Sequence, residues 1–452
     1  MVRHAPGHSR DPPVTAPGVE AREASRDAGL RRGIGPWGLA AAIVNIVVGA
    51  GIFSLPSGMA QAAGPYALVA YGVCALAMAA VTLCCAEAGS RVPTSGGIYG
   101  YVDAAFGPLP GFVAGVLLWL SCALACGGIA SALAGAVGGL APALGGAVPR
   151  AAIIVGAIVV LVGVNLAGAG PASRLISVAT AVKLVPLALF VGVGLFALEP
   201  VKLGEGTAPG LAGVGRAVIL SLFAFQGMET VLGANGEVHR PARTLPRALV
   251  GSMAFVAVLY IAIQLTAQGL LGAALAGSSA PLAEGLSRVD PRLGVVVLVG
   301  AAVSMFGWIG SDLLGAPRVL FAFARDGFLP TALGRVSPRT QVPAGAVVLH
   351  GVIAAVLGVT GSFEQLAVLS VLAACLLYIG GCAAAWVLRR REVALAGEPL
   401  RVRGLAVWAT VGAGSMAVVI ALGRPAEIAG LAAAVALSAL LYAVVRRGGR
   451  RA

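Results

Sequence analysis

Residues 48–53 read VGAGIF and run directly into SLP at 54–56, inside an apolar stretch from Ile34 to about Met59. The stretch is long enough to cross a bilayer as a helix, yet two glycines and a proline stand near its middle. Gly weakens a helix interior by about 1 kcal/mol relative to Ala, and Pro by about 3 kcal/mol, so a break is expected there. Backbone freed inside lipid must be satisfied by protein or by a water-filled cavity. Small residues can also serve close approach of a neighbouring helix. A second interruption in the other half of the chain argues for a site. There LFAFQGMET, residues 222–230, places Gln226, Gly227 and Glu229 near the middle of the run 211–235.

The composition sets the class. Hydrophobic residues make up 59% and charged residues 11%, against about 25% charged in soluble domains, so the chain reads as an all-α polytopic membrane protein. Apolar runs of about 20 residues give about twelve candidate spans, at 34–58, 66–90, 108–136, 151–168, 174–197, 212–235, 246–272, 294–324, 343–360, 364–388, 403–422 and 426–445. The net charge of +13 is distributed unevenly. Arg150, Lys202, Arg216, Arg288, Arg292 and Arg424 fall on one side, Lys183 lies within a span, and the other basic residues fall on the opposite side, which places both termini in the cytoplasm. Nucleic acid is not an expected partner, because no loop is large enough to form a folded basic face.

Residues 1–33 read as a disordered cytoplasmic tail. Spans one to five occupy 34–198, spans six to ten 199–390, and residues 391–452 hold two further helices and a basic cytoplasmic C-terminus. Interrupted helices five crossings apart imply an inverted repeat of the first block against the second. Residues 93–107 are too short and polar to span, and read as a re-entrant or interfacial segment with Tyr99, Tyr101 and Phe106 at headgroup level.

A broken helix exposes unpaired N–H groups where its second half starts and unpaired C=O groups where its first half ends. One terminus favours anions and the other cations. An α-amino acid or related amine carries charge that such ends can hold. The N–H groups near Ala50, Gly51 and Ile52 are candidates for a carboxylate. The carbonyls of Phe223, Ala224 and Val48 are candidates for an ammonium, with Phe225 and Gly227 beside them. Gly49 and Gly51 let the backbone approach a ligand closely.

Ionisable groups within spans are functional candidates by default. Glu87 sits near a membrane edge with Arg91 four residues on, and reads as structural. Lys183 suits proton exchange, since a buried lysine shifts its protonation readily, or else acts as a charged strut between the fifth helix and the first. Glu229 is expected either to exchange a proton or to cap the freed amides of the sixth helix. Asp312 shares a helix face with Trp308, four residues away. It is expected to read the substrate side chain, or otherwise to stay protonated or hydrogen-bond hydroxyls such as Ser304 or Ser311.

Four motifs in order, GAGIF with LPS (49–57), GGIYGYVDAAFGPLPGF (96–112), FAFQGMET with GEVHRPARTLPRAL (223–249) and APRVLFAFARDGFLP (316–330), resemble the amino acid–polyamine–organocation permeases. The resemblance covers about 33–390. It implies the leucine-transporter type of fold, alternating access and secondary transport of amino acids or amines. It also implies an aromatic gate at Phe223, a proton-linked lysine at Lys183 and a substrate-facing position near Asp312. The sequence thus reads as a permease of the cytoplasmic membrane, proton-coupled or exchanging, with a non-transporting amino acid sensor as the rival. No cofactor or enzyme chemistry is expected. His4, His8, His239 and His350 are scattered, so no metal or Ser/His/Asp arrangement is assigned. The seven cysteines fall in spans and read as small packing residues.

Overall fold

The computed structural model describes residues 34–448 apart from 50, 94–95, 208, 234, 236–237 and 396. The N-terminal tail and Ala50 therefore lie outside the described residues. Within them the structure is helical, with a single isolated bridge between Ile34 and Val238 and no strand.

In chain order the helices are α1 Pro36–Val47, α2 Gly51–Ala63, α3 Ala67–Arg91, α4 Ile98–Phe106, α5 Pro108–Leu140, α6 Ala147–Leu166, α7 Ala169–Ala197, α8 Leu211–Phe225 and α9 Met228–Leu232. They continue as α10 Pro241–Leu271, α11 Pro281–Ser287, α12 Pro291–Gly315, α13 Pro317–Arg325, α14 Ala344–Thr360, α15 Phe363–Arg390, α16 Leu405–Ala421 and α17 Pro425–Gly448. Proline opens many of them, where its missing N–H costs nothing and its φ suits the first turn. Eight segments are long and apolar enough to cross a membrane, and 36–47, 183–197, 344–360 and 405–421 form shorter apolar helices. The chain is a multi-pass membrane protein.

Both interruptions read from the sequence appear as breaks. Val48 leaves helical geometry (φ −71°, ψ 66°) between α1 and α2. Gln226 is extended and Gly227 takes φ +120° between α8 and α9, a conformation that glycine alone adopts without strain. The two breaks lie in the core, where Ile43, Val48, Phe225 and Met228 are fully or almost fully buried. Around them α15 packs on α5, α10 on α3 and α1, and α12 on α7.

The run 294–324 stands as one apolar segment, Pro291–Arg325, with a turn at Ala316 where Pro317 lacks an N–H to continue the hydrogen-bond ladder and starts α13. One expectation is corrected. Tyr101 is fully buried against the core, not placed at headgroup level, since α4 turns its Ile98 and Tyr101 side chains inward while Phe106 stays exposed.

At the end of α3, Glu87 accepts from Arg91 Nε and Nη2 (3.0 and 2.9 Å), from Arg389 Nε (2.6 Å) and from the Val402 amide (2.9 Å). This ties the segment after α15 to α3. At the other end of α15, Arg216 joins Glu364 (2.9 Å) and Glu427 (3.2 Å). Ion clusters thus fasten the bundle at both ends of one 28-residue helix, about 1.5 Å of rise per residue apart.

Candidate functional site

The breaks face each other across a small cavity. Its lining includes Ile46, Val47, Gly49, Gly51 and Ile52 from the first break, Phe223, Ala224, Gln226, Gly227, Glu229 and Thr230 from the second, and Ser121, Cys122, Trp308 and Ser370 from α5, α12 and α15. Its volume is about 30 Å³, room for a water molecule or two and too little for an amino acid. The side chains at the two breaks therefore close in on the site and leave little free space between them.

The closure has identifiable causes. The last carbonyls of α1 have no intrahelical donor, and side chains from three other helices cap them in succession. Lys183 Nζ donates to Asn45 O, Trp308 Nε1 to Ile46 O (3.1 Å) and Tyr260 Oη to Val47 O (2.6 Å). The Trp308 ring covers Gly49 so closely that a Cβ there would stand 2.8 Å from it. Phe223 covers Gly51 in the same way, at 3.0 Å from a hypothetical Cβ.

Beyond Phe223 lies a second cavity of about 360 Å³, lined in part by Phe53, Ser54, Arg150, Phe363 and Glu364. Phe223 and Phe363 meet edge to face, with centroids 5.6 Å apart at 84°, and stand between the two spaces.

The free end of α2 points the other way. Its first N–H groups have no intrahelical acceptor, and among the described residues no carbonyl outside the helix accepts from Gly51 or Ile52. Pro56 inside α2 also removes the donor that Ile52 O would have received. At the second break, Glu229 accepts from the Gly227 amide with both oxygens (3.0 Å each) and from Tyr378 Oη (2.7 Å). That is the capping arrangement: the carboxylate reaches back to the amide freed by the break.

Of the residues singled out in the sequence, Gly49, Gly51, Ile52, Phe223, Ala224, Gly227 and Glu229 line the cavity. Val48 and Phe225 do not; both are packed in the core, Phe225 edge-on to Tyr260. Lys183 is 4% exposed and reaches the broken helix through Asn45 O. Asp312 requires correction. Trp308 lines the cavity, but the Asp312 carboxylate is turned to His350, with Nε2 at 2.7 Å from Oδ2, so the two do not look into one space. Neither serine is its partner: Ser311 donates to Gly307 O (3.1 Å), and Ser304 Oγ is buried without one.

Sequence reading missed His350, Tyr260 and Tyr378. His350 is one of four histidines scattered along the sequence, yet its ring lies with Asp312 and Cys126, their ligand atoms within 4.8 Å of one another. Trp119 Nε1 donates to His350 Nδ1 (3.1 Å). An indole N–H can only donate, so Nδ1 accepts and the neutral ring carries its hydrogen on Nε2, toward Asp312. That hydrogen occupies the nitrogen that would ligate a metal.

Comparison with known proteins agrees with this architecture. The sequence model of the family described as "Amino acid permease" matches residues 34–447. The branched-chain amino acid permease BcaP of Bacillus subtilis is 28% identical over 364 residues, 76% of this chain and 78% of its own length. The serine/threonine exchanger SteT of the same organism is 26% identical over 379 residues, 81% and 85% of the two chains. An uncharacterized transporter of Mycobacterium tuberculosis, Rv1999c, is 31% identical over 339 residues, 74% and 75%. With broken helices enclosing a closed cavity and a family match across almost every described residue, the chain belongs to the amino acid permeases of the amino acid–polyamine–organocation family.

Proposed function

We propose that this permease carries neutral amino acids across the plasma membrane by alternating access, with protons as the coupling ion. The observation that carries the reading is the cavity between the two breaks. The amides of Gly51 and Ile52, which no carbonyl outside α2 takes among the described residues, suit a carboxylate, and the last carbonyls of α8 suit an ammonium. The rest of the lining is apolar or carries hydroxyl, thiol and amide groups. Its single carboxylate, Glu229, is engaged by the Gly227 amide and by Tyr378, which supports neutral over basic side chains. The printed substrates of the relatives, branched-chain amino acids and serine/threonine, fit the same class.

Eight long and four shorter apolar helices support twelve crossings. Breaks five crossings apart support an inverted repeat of 34–198 against 199–390, and the distribution of Lys and Arg supports cytoplasmic termini. Lys183 supports proton coupling: its ammonium stands on a carbonyl of the broken helix, where it would repel a sodium ion at close range. Phe223 and Phe363 would gate the path between the small cavity and the larger one.

The deciding experiment reconstitutes the protein in liposomes. It follows labelled leucine, serine and lysine under an imposed pH gradient, a sodium gradient, or internal unlabelled amino acid. The reading expects pH-driven accumulation of leucine or serine. Dependence on sodium would refute the coupling. Movement only against internal substrate would make the protein an exchanger.

A further inference from the structure

We propose that Asp312, held by His350, is a second proton-binding group of this transporter and acts on the central cavity through Trp308. This role rests on the transport reading above, though its physical basis does not. Asp312 is 4% exposed and His350 fully buried. The Trp119 indole fixes His350 as a donor to Asp312. An imidazolium would set an Nδ1–H against the Trp119 N–H at 3.1 Å, so a proton that arrives here goes to the carboxylate. Ionised, Asp312 carries a negative charge inside the membrane, where such charge is expensive. The basic group that the structure pairs with it is the His350 ring.

The other groups on the helices around α12 do not neutralise it. From α5 come Trp119 and the thiols of Cys122 and Cys126, and from α7 comes Lys183, whose amino group is spent on Asn45 O. Arg150 of α6 donates to the Ser131 hydroxyl. Glu284 of α11 accepts from the Ser279 and Ala280 amides. Arg318 and Arg325 belong to α13, beyond the C-terminal end of α12.

The link to the cavity is one helical turn. Trp308 and Asp312 are four residues apart on α12, hence on one face. Trp308 closes the site by holding Ile46 O and covering Gly49. Loss of the charge at Asp312 changes its pairing with His350 and so the seating of α12 against α14. Trp308 moves with α12, and its grip on α1 is then set by the protonation of Asp312. Asp312 is thus a positioning residue, not a substrate contact.

The test uses intrinsic fluorescence of the purified protein and counterflow in proteoliposomes, both from about pH 5.5 to about pH 8; one controlling proton changes a rate by up to about tenfold per pH unit. The Trp308 contribution is the difference between wild type and Trp308→Phe. Its emission is expected to change with pH in wild type and in Asp312→Glu, and to be flat in Asp312→Asn. The pH profile of leucine or serine counterflow should flatten in Asp312→Asn whatever its absolute rate. Trp119→Phe, which frees Nδ1 to take the proton in place of the carboxylate, leaves Asp312 beside an imidazolium and should move the fluorescence midpoint to lower pH, and it carries the test if Asp312→Asn does not fold. A Trp308 signal that ignores pH in wild type, one that still follows pH in Asp312→Asn, or an unmoved midpoint in Trp119→Phe overturns the proposal. If wild type carries neither amino acid, the transport reading fails, and the fluorescence arm still decides this one.

Discussion

Replacing Gly49 by alanine tests whether close approach at the first break is needed for function. The added Cβ would lie 2.8 Å from Trp308 Cδ1 and Nε1 and 3.4 Å from Ile46 O. Carbon atoms in contact prefer about 3.5–4.0 Å, so the indole must retreat by roughly 0.7 Å or more. That retreat strains the 3.1 Å bond to Ile46 O, whose loss costs about 0.5–1.5 kcal/mol. Overpacking of a closed site adds about 1–3 kcal/mol. The sum, about 1.5–4.5 kcal/mol, corresponds to about a 10-fold or greater loss in half-saturation or rate for the step that requires the closed cavity. The assay is concentration-dependent uptake in proteoliposomes, with thermal unfolding in detergent as the control for folding. Gly72→Ala and Gly192→Ala serve as comparisons, since nothing lies within 4 Å of a Cβ at either position. Gly49→Ala with kinetics equal to those of the two comparison variants would show that the contact between Trp308 and the break plays no part in transport.

Lys183→Met should abolish pH-driven accumulation and leave Asn45 O without its donor; normal accumulation in the variant, measured in the same liposomes, would assign Lys183 a purely structural role. Gly51→Val should lose substrate binding with expression retained, because its side chain enters the space of Phe223 and covers the amide of α2; retained binding in a scintillation proximity assay would make the first break a packing device. Glu229→Gln loses charge-assisted bonds to Gly227 N and Tyr378 Oη and is expected to cost about 1–3 kcal/mol, read as a lower melting temperature in detergent. Glu87→Gln strands the buried Arg91 and should destabilise the fold by about 3–5 kcal/mol. An unchanged melting temperature would show that the cluster is dispensable.

What the sequence determined by itself is the membrane class, the helical content and the position of both breaks. These follow from local quantities: apolar run length, and the cost of Gly and Pro in a helix, which acts within a turn or two of the residue. The Glu87–Arg91 pair was legible for the same reason, being one turn apart on α3. The partners that define the site are not local. Asp312 meets His350 38 positions on, Lys183 meets Asn45 138 positions back, Tyr260 caps Val47 across 213 positions, and Glu87 meets Arg389 across 302. Periodicity says which face of a helix is apolar. It does not say which helix will face it, nor how deep a given turn will sit against its neighbour. Asp312 shows the consequence. Its spacing from Trp308 placed both on one face of α12, but a helix face is wide enough to meet two surroundings. Only the packing of α5 and α14 against that face decided that the indole turns to the cavity and the carboxylate to a histidine whose tautomer a third helix fixes.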